Sequence, residues 1–333
     1  MIAHKFPPSL NEETILIVLL LLICSAGFSQ NLRFKQCGTP IPARTDLDVR
    51  WEATNSFPPQ LWVYHLLPAT FSSNTISTLM TIGSFTDKDR IDAATNEMRF
   101  RSSDNSRFLF ISFSQGVLSY KVTTHYGPAN LNVDVPDKGE VVRLTKELLP
   151  KLGIRLSDID KGEDGSGPDF SVGDSVTEYY VHPITITNIE FRRVSFRRAV
   201  DGVSFLSART GGNGDIRFGD HGKIIQIYLS WRNLERNKSY PTLTVKSIMQ
   251  SIRNGKAIQG SVADDSPWID WPTAKNITIK NARPCYYAGD PLQSSDWLYP
   301  FAALSTTVDT GRGNVDVEID CPIIDESKAA GPQ

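Results

Sequence analysis

Cysteine is scarce, with four residues in 333. No two of them form a C-x-x-C pair or stand beside a histidine, which argues against the usual zinc frameworks. Neither sign of charge is in excess: 35 lysines and arginines face 37 aspartates and glutamates, a formal net of −2. The chain therefore lacks the basic footprint that marks a nucleic-acid binder. A single long apolar run occurs, Ile15 to Cys24, and it is about half the length that a helix needs to span a bilayer. Catalytic signatures are missing too. There is no H-E-x-x-H and no G-x-S-x-G, and Gly222 and Lys223 lack the upstream glycine and following hydroxyl of a phosphate loop.

What is present begins with that apolar run. It is followed by the small residues Ser25, Ala26 and Gly27, which reads as the core and cleavage zone of a secretory signal over residues 1–29. Its flank is atypical, with Lys5 as the one basic side chain and Glu12 and Glu13 against the run. The expected mature chain is exported, has no membrane span and starts near Gln30. It keeps Cys37, Cys285 and Cys321, an odd number. Cys285 and Cys321 share the C-terminal segment and are the first disulfide candidate, with pairings through Cys37 left open.

Beyond the leader, Ser73 to Met80 reads as a capped helix. The runs MRFR, RFLFISF and VLSYKV follow as three strands at hairpin spacing. Asp137 with Glu140 three residues on predicts a helix start. Val141, Leu144, Leu148 and Leu152 share one face of that helix, Pro150 shortens or bends its end, and Gly153 terminates it. Residues 157–175 are acidic and glycine-rich, and read as a linker. Asp158 and Asp160 begin the alternation of a calcium loop, but Gly162 occupies the next ligand position and no glutamate closes the loop.

The second half repeats this order. Strand text leads to Asp201–Gly202, the strongest two-residue hairpin signal in the chain. The turn GDHG, the strand KIIQIYLSW and a helix with Val245, Ile248, Met249 and Ile252 on one face follow. The fold expected is α+β, as two tandem units of antiparallel sheet, each packed by one helix. The units are residues 30–156 and 176–326, and a disordered tail covers 327–333.

The stretches RAVDGVSF, IRFGDHGKIIQIYLSWRNLE, TVKSIMQSIRNG, ITIKNARPCYYAG and YPFAAL resemble the PepSY-like and cystatin-like exported domains of metalloprotease propeptides and cell-envelope regulators. The resemblance covers about residues 180–324, with a fainter copy at 96–155. It implies a non-catalytic module that binds or restrains a protein or peptide partner in trans, since no protease domain follows in this chain.

Candidate contact residues follow from chemistry. In the quartet Arg192, Arg193, Arg197 and Arg198, strand alternation sends Arg193 and Arg197 to one face and the other two to the opposite face. His221 sits in a turn beside Asp220. Trp231, Tyr286, Tyr287 and Trp297 belong to a late aromatic group with Trp268, Trp271 and Tyr299 that could also line a glycan groove. The reading expected is therefore a binding protein without cofactor or metal, using the solvent face of the Tyr179 to Trp231 sheet. A secreted hydrolase built around His221 or His182 and a glycan-binding protein are the alternatives.

Overall fold

A computed structural model describes residues 39–92, 96–123, 134–162, 167–181, 184–205, 213–262, 269–288 and 296–325. The signal segment, Cys37, His125, His182, Trp268 and the 327–333 tail lie outside the described residues.

In chain order come strands β1 (Thr39–Pro40), β2 (Asp48–Trp51) and β3 (Gln60–Leu67), then helix α1 (Ser73–Gly83). Next are β4 (Arg90–Asp92), β5 (Glu97–Arg101), β6 (Arg107–Ser112) and β7 (Val117–Val122), then helix α2 (Lys138–Leu148). The long strands β8 (Ser171–Val181) and β9 (Ile184–Arg197) lead to the short β10 (Ala199–Val200) and β11 (Val203–Phe205). Strands β12 (Asn213–Phe218), β13 (Ile224–Ser230) and β14 (Asn233–Pro241) precede helix α3 (Val245–Arg253). The chain closes with β15 (Ile258–Val262), β16 (Asn276–Ala288), β17 (Trp297–Asp309) and β18 (Asn314–Pro322).

Local chemistry accounts for the helix ends. The Ser72, Asp137 and Thr244 side chains accept from the backbone N–H three residues on, at 3.1, 2.8 and 3.2 Å, satisfying donors that the first turn leaves open. Pro150 cannot continue the α-helical ladder, so the chain tightens into a 3-10 turn over Leu149–Leu152 and stops at Gly153, with φ 83°. Helix α3 buries Ile248 and Ile252 completely, whereas Val245, expected on the same face, is 38% exposed. At Asp201–Gly202 both residues have positive φ, 52° and 76°, as a two-residue turn between β10 and β11 requires.

The assembly of these elements overturns the expected plan. Two large sheets dominate a mostly β molecule with three α-helices among the described residues. One sheet has eight strands in the order β4-β5-β6-β7-β13-β12-β9-β8, and the other has ten, built on β1-β15-β18-β17-β16-β11-β10 with β2, β3 and β14 attached. Both sheets draw strands from both halves of the chain. In the first, Val117–Lys121 of β7 pair with Ser230–Gln226 of β13. In the second, β3 pairs with β14 and β17, and β2 lies parallel to β16. Helices α1 and α2 both pack on the eight-stranded sheet, through Leu79, Val141 and Leu148, while α3 packs on the ten-stranded one. Two tandem cystatin-like units with one helix each are therefore not formed. The reason lies in β7. Leu118 and Tyr120 lie on its helix-covered side and are fully buried, so an unpaired β7 edge would open the core to solvent. Its backbone groups find β13, more than a hundred residues away.

Of the 157–175 segment, the described residues 157–162 make close contacts with the sheet. Ile159 is 1% exposed and bridges Arg198, and the Asp160 N–H donates to the Arg197 carbonyl at 2.8 Å.

One close approach in the eight-stranded sheet is selective for glycine. Gly214 of β12 faces Phe196 of β9 in register, and a Cβ there would lie inside the buried Phe196 ring. Gly214→Ala should therefore cost about 1–3 kcal/mol by overpacking and lower the calorimetric Tm by several degrees. An unchanged Tm would show that the ring moves aside freely.

Candidate functional site

The eight-stranded sheet has one face under α1 and α2 and a second face that is largely open. Register places Arg99 opposite Phe110 and Arg101 opposite Phe108 on β5 and β6, then Ser119 and Lys121 on β7, and Gln226 and Tyr228 on β13. Beyond them lie Asp215 and Arg217 on β12, and Arg193, Ser195 and Arg197 on β9. On these strands the face carries six cationic side chains, Arg99, Arg101, Lys121, Arg193, Arg197 and Arg217, against the two carboxylates Glu97 and Asp215.

Three of the arginines lie over aromatic rings. Arg101 is 4.8 Å from the Phe108 centroid, Arg99 is 5.4 Å from Phe110, and Arg217 is 5.1 Å from Phe191. Each such contact is worth about 0.5–1 kcal/mol at a wet surface, enough to favour one orientation of a long side chain. Asp215 organises the other end. It is 6% exposed and ion-pairs with Arg193, while accepting from Arg217 at 3.2 Å and from the Ser195 hydroxyl at 3.3 Å. The guanidinium groups are thus held with part of their charge facing outward. Where this face meets the ten-stranded sheet, a cleft of about 410 Å³ opens, lined by Arg193, Arg197, Asp215 and Tyr228 on one side and Arg283 on the other.

The residues singled out from the sequence do not converge. Arg193 and Arg197 lie on this face. Arg192 points to the helix side, where it donates to Asp174 at 2.8 Å and to the Pro136 carbonyl. His221 is exposed, with φ 50° and Nδ1 3.4 Å from Asp134 Oδ2. Among the described residues its imidazole has carboxylates as partners, Asp134 and Asp220. Trp231 packs against Phe196 and Arg198. Tyr286 and Tyr287 are 1% and 4% exposed, and Trp271 is buried with its indole N–H on Gln259 at 2.9 Å. Trp297 is half-buried and tilted against His65, with centroids 4.8 Å apart. Rings sunk in this way do not form the exposed coplanar platform that a glycan site needs.

Cys285 and Cys321 are also not joined, and both are buried thiols. Cys285 pairs across to Phe301 and Cys321 to Ala302. They therefore sit two strands apart on opposite faces of the sheet, roughly 10 Å from one another, beyond the reach of a disulfide.

No family model matches the chain. No curated protein matches it either. Among solved structures, an uncharacterized protein from Eubacterium rectale superposes with a TM-score of 0.44 at 9% identity, over 82% of this chain and 85% of that one. A likeness at that level carries no argument about fold or function.

Arg99, Arg101, Phe108, Phe110, Lys121 and Arg217 were missed from sequence. Their signal was the alternation in MRFR and RFLF, which becomes an arginine-over-phenylalanine row only once the β5–β6 register is known. Among the described residues no helix is long and apolar enough to cross a membrane.

One electrostatic outlier lies off this face. Asp320 of β18 is 5% exposed and its Oδ1 has no hydrogen-bond partner. Burial, reinforced by Glu318 and partly offset by Arg283, pushes its carboxyl from the ordinary 3.8 up to about 7. The folded-state value lies above the unfolded one, so the fold favours the protonated form. Its contribution is intact below about pH 4 and is lost as pH rises through 7. Asp320→Asn should remove that decline: its Tm relative to wild type should rise between pH 4 and pH 8, by an amount equivalent to at most about 4 kcal/mol. Parallel melting curves across that range would refute the assignment.

Proposed function

We propose that this protein is an exported, non-catalytic binding module whose open eight-stranded sheet face receives an acidic protein or peptide partner. The arginine-over-aromatic row supports this reading more than any other observation. A half-buried aromatic beneath a guanidinium offers apolar contact and a fixed cationic donor at one point, the combination enriched at the centre of protein interfaces. Repeated across β5, β6, β12 and β9, it makes a surface that complements carboxylates flanked by apolar side chains. Buried Asp215 adds an acceptor at the cleft end and so selects against a uniformly anionic polymer. Export rests on the apolar run Ile15 to Cys24 and the small residues after it.

The test uses the exposed cations that make no contact with Asp215. In the double variant Arg101→Glu, Arg197→Glu, binding of a fluorescent peptide of alternating Asp and Tyr should weaken at least about tenfold relative to wild type, by roughly 0.7 kcal/mol per reversed charge. Wild-type affinity should fall as salt is raised, and the variant's Tm should stay within a degree or two. Equal affinity of variant and wild type would remove the open face as the binding surface.

A further inference from the structure

A second cleft, of about 560 Å³, lies at the seam between the two sheets. Its lining includes Arg198, the residue that joins β9 of the eight-stranded sheet to β10 of the ten-stranded one. The guanidinium lies between two rings, 5.0 Å from the Trp231 centroid and 5.7 Å from Phe205. Its Nη1 donates to the Arg232 carbonyl at 2.6 Å. A guanidinium has five N–H donors, and among the described residues no carboxylate lies within ion-pair distance of this one. A desolvated cation so placed costs several kcal/mol unless an anion compensates it, and burial, offset only in part by the charge of Asp158, holds its pKa down at about 10.

The acids that line the cleft are engaged elsewhere. Asp158 is held by Arg155 in a fork, at 3.0 and 3.1 Å. Asp201 accepts from the Tyr64 hydroxyl and from Arg236. Asp160 accepts from the backbone N–H of Lys161 at 2.9 Å. Lys161 itself lines the same cleft, and Val200 and Leu234 give it an apolar wall.

From this geometry we infer that the seam cleft is a binding site for a small ligand bearing an oxyanion, a carboxylate or phosphate head. The open edge of the Arg198 guanidinium takes that head in bidentate fashion. Lys161 supplies a second charge, and the ligand's body lies along Val200 and Leu234. The volume is that of an ordinary small-molecule site, and the contacts with the Trp231 and Phe205 rings restrain the guanidinium before the ligand arrives. The proposal goes beyond the partner-binding face and does not depend on it.

The experiment compares thermal melts of the full chain in sodium chloride, inorganic phosphate and benzoate at matched ionic strength and pH. Binding raises Tm by mass action, so wild type should melt about 2 °C or more higher in at least one of the two oxyanions than in chloride. A larger response to benzoate supports a carboxylate with an apolar body, and a larger response to phosphate supports a phosphate head. Arg198→Met should abolish the response. Arg198→Lys keeps the charge without the fork and should weaken affinity about tenfold by titration calorimetry. Should the methionine variant fail to fold, the Arg198 side-chain N–H resonances of the wild type, followed through the titration, provide the decisive reading. Equal melting in all three salts, an undiminished response in Arg198→Met, or unshifted Arg198 resonances would each overturn the site.

Discussion

The pairing of Val117–Lys121 with Gln226–Ser230 is the constraint on which the rest of the molecule depends. It fuses a meander from the first half of the chain with a hairpin from the second into one continuous sheet. Without it β7 and β13 would each present an unpaired edge beside the buried side chains Leu118, Tyr120, Ile227 and Leu229, an arrangement that invites aggregation. With it, Leu109, Tyr120, Ile227 and Ile216 form an unbroken apolar strip beneath α1 and α2. The same pairing creates the opposite face, because residues that alternate with this strip must share one surface. The cationic and aromatic side chains of β5 and β6 are thereby brought into line with those of β9 and β12.

Asp215 is central to that surface. A carboxylate at 6% exposure needs charged or hydrogen-bonding neighbours to remain in the fold, and Arg193, Arg217 and Ser195 meet the need. In return it holds two guanidinium groups, that of Arg193 in the lining of the Arg283 cleft and that of Arg217 beside it on the sheet. Order at the other end of the face comes from ring contacts instead, where Arg99 and Arg101 lie over phenylalanines. The face thus has two means of fixing long side chains, one ionic and one aromatic, and both lower the entropy lost when a partner docks.

Much of the local structure was legible in the sequence because it is written in short-range chemistry. The cap at Asp137, the proline-tightened end of α2 and the Asp201–Gly202 turn each depend on residues within about five positions, although the first helix is capped by Ser72, one residue before the start expected from the sequence. What was not legible is how strands pair across long stretches of chain. Two similar orders of hairpin and helix read naturally as two tandem units, yet alternation shows which face a strand buries and not which distant strand it pairs with. The candidate site shared this limit. Arg193 and Arg197 could be assigned to one face from alternation alone, whereas the contribution of β5 and β6 required the register. The late aromatics misled for a related reason, since Tyr286 and Tyr287 stand between turns in sequence but at the centre of a long sheet in space.

The two sheets are tied together where the chain passes between them. One passage runs through Arg198, from β9 to β10, and another through Trp231 and Arg232, from β13 to β14. These passages meet: Arg198 lies over the Trp231 ring and donates to the Arg232 carbonyl, while the Arg232 side chain reaches the Leu66 carbonyl of β3. Gly116 lacks the Cβ that would collide with the Arg232 backbone, so the β6–β7 turn can close over the junction. A cation at such a place is an expensive choice if its task is packing alone, because methionine or leucine would fill the space between two rings without a desolvation penalty. Its place in the lining of a cleft, rather than in the sealed core, makes recognition of an anion the more economical explanation for its charge.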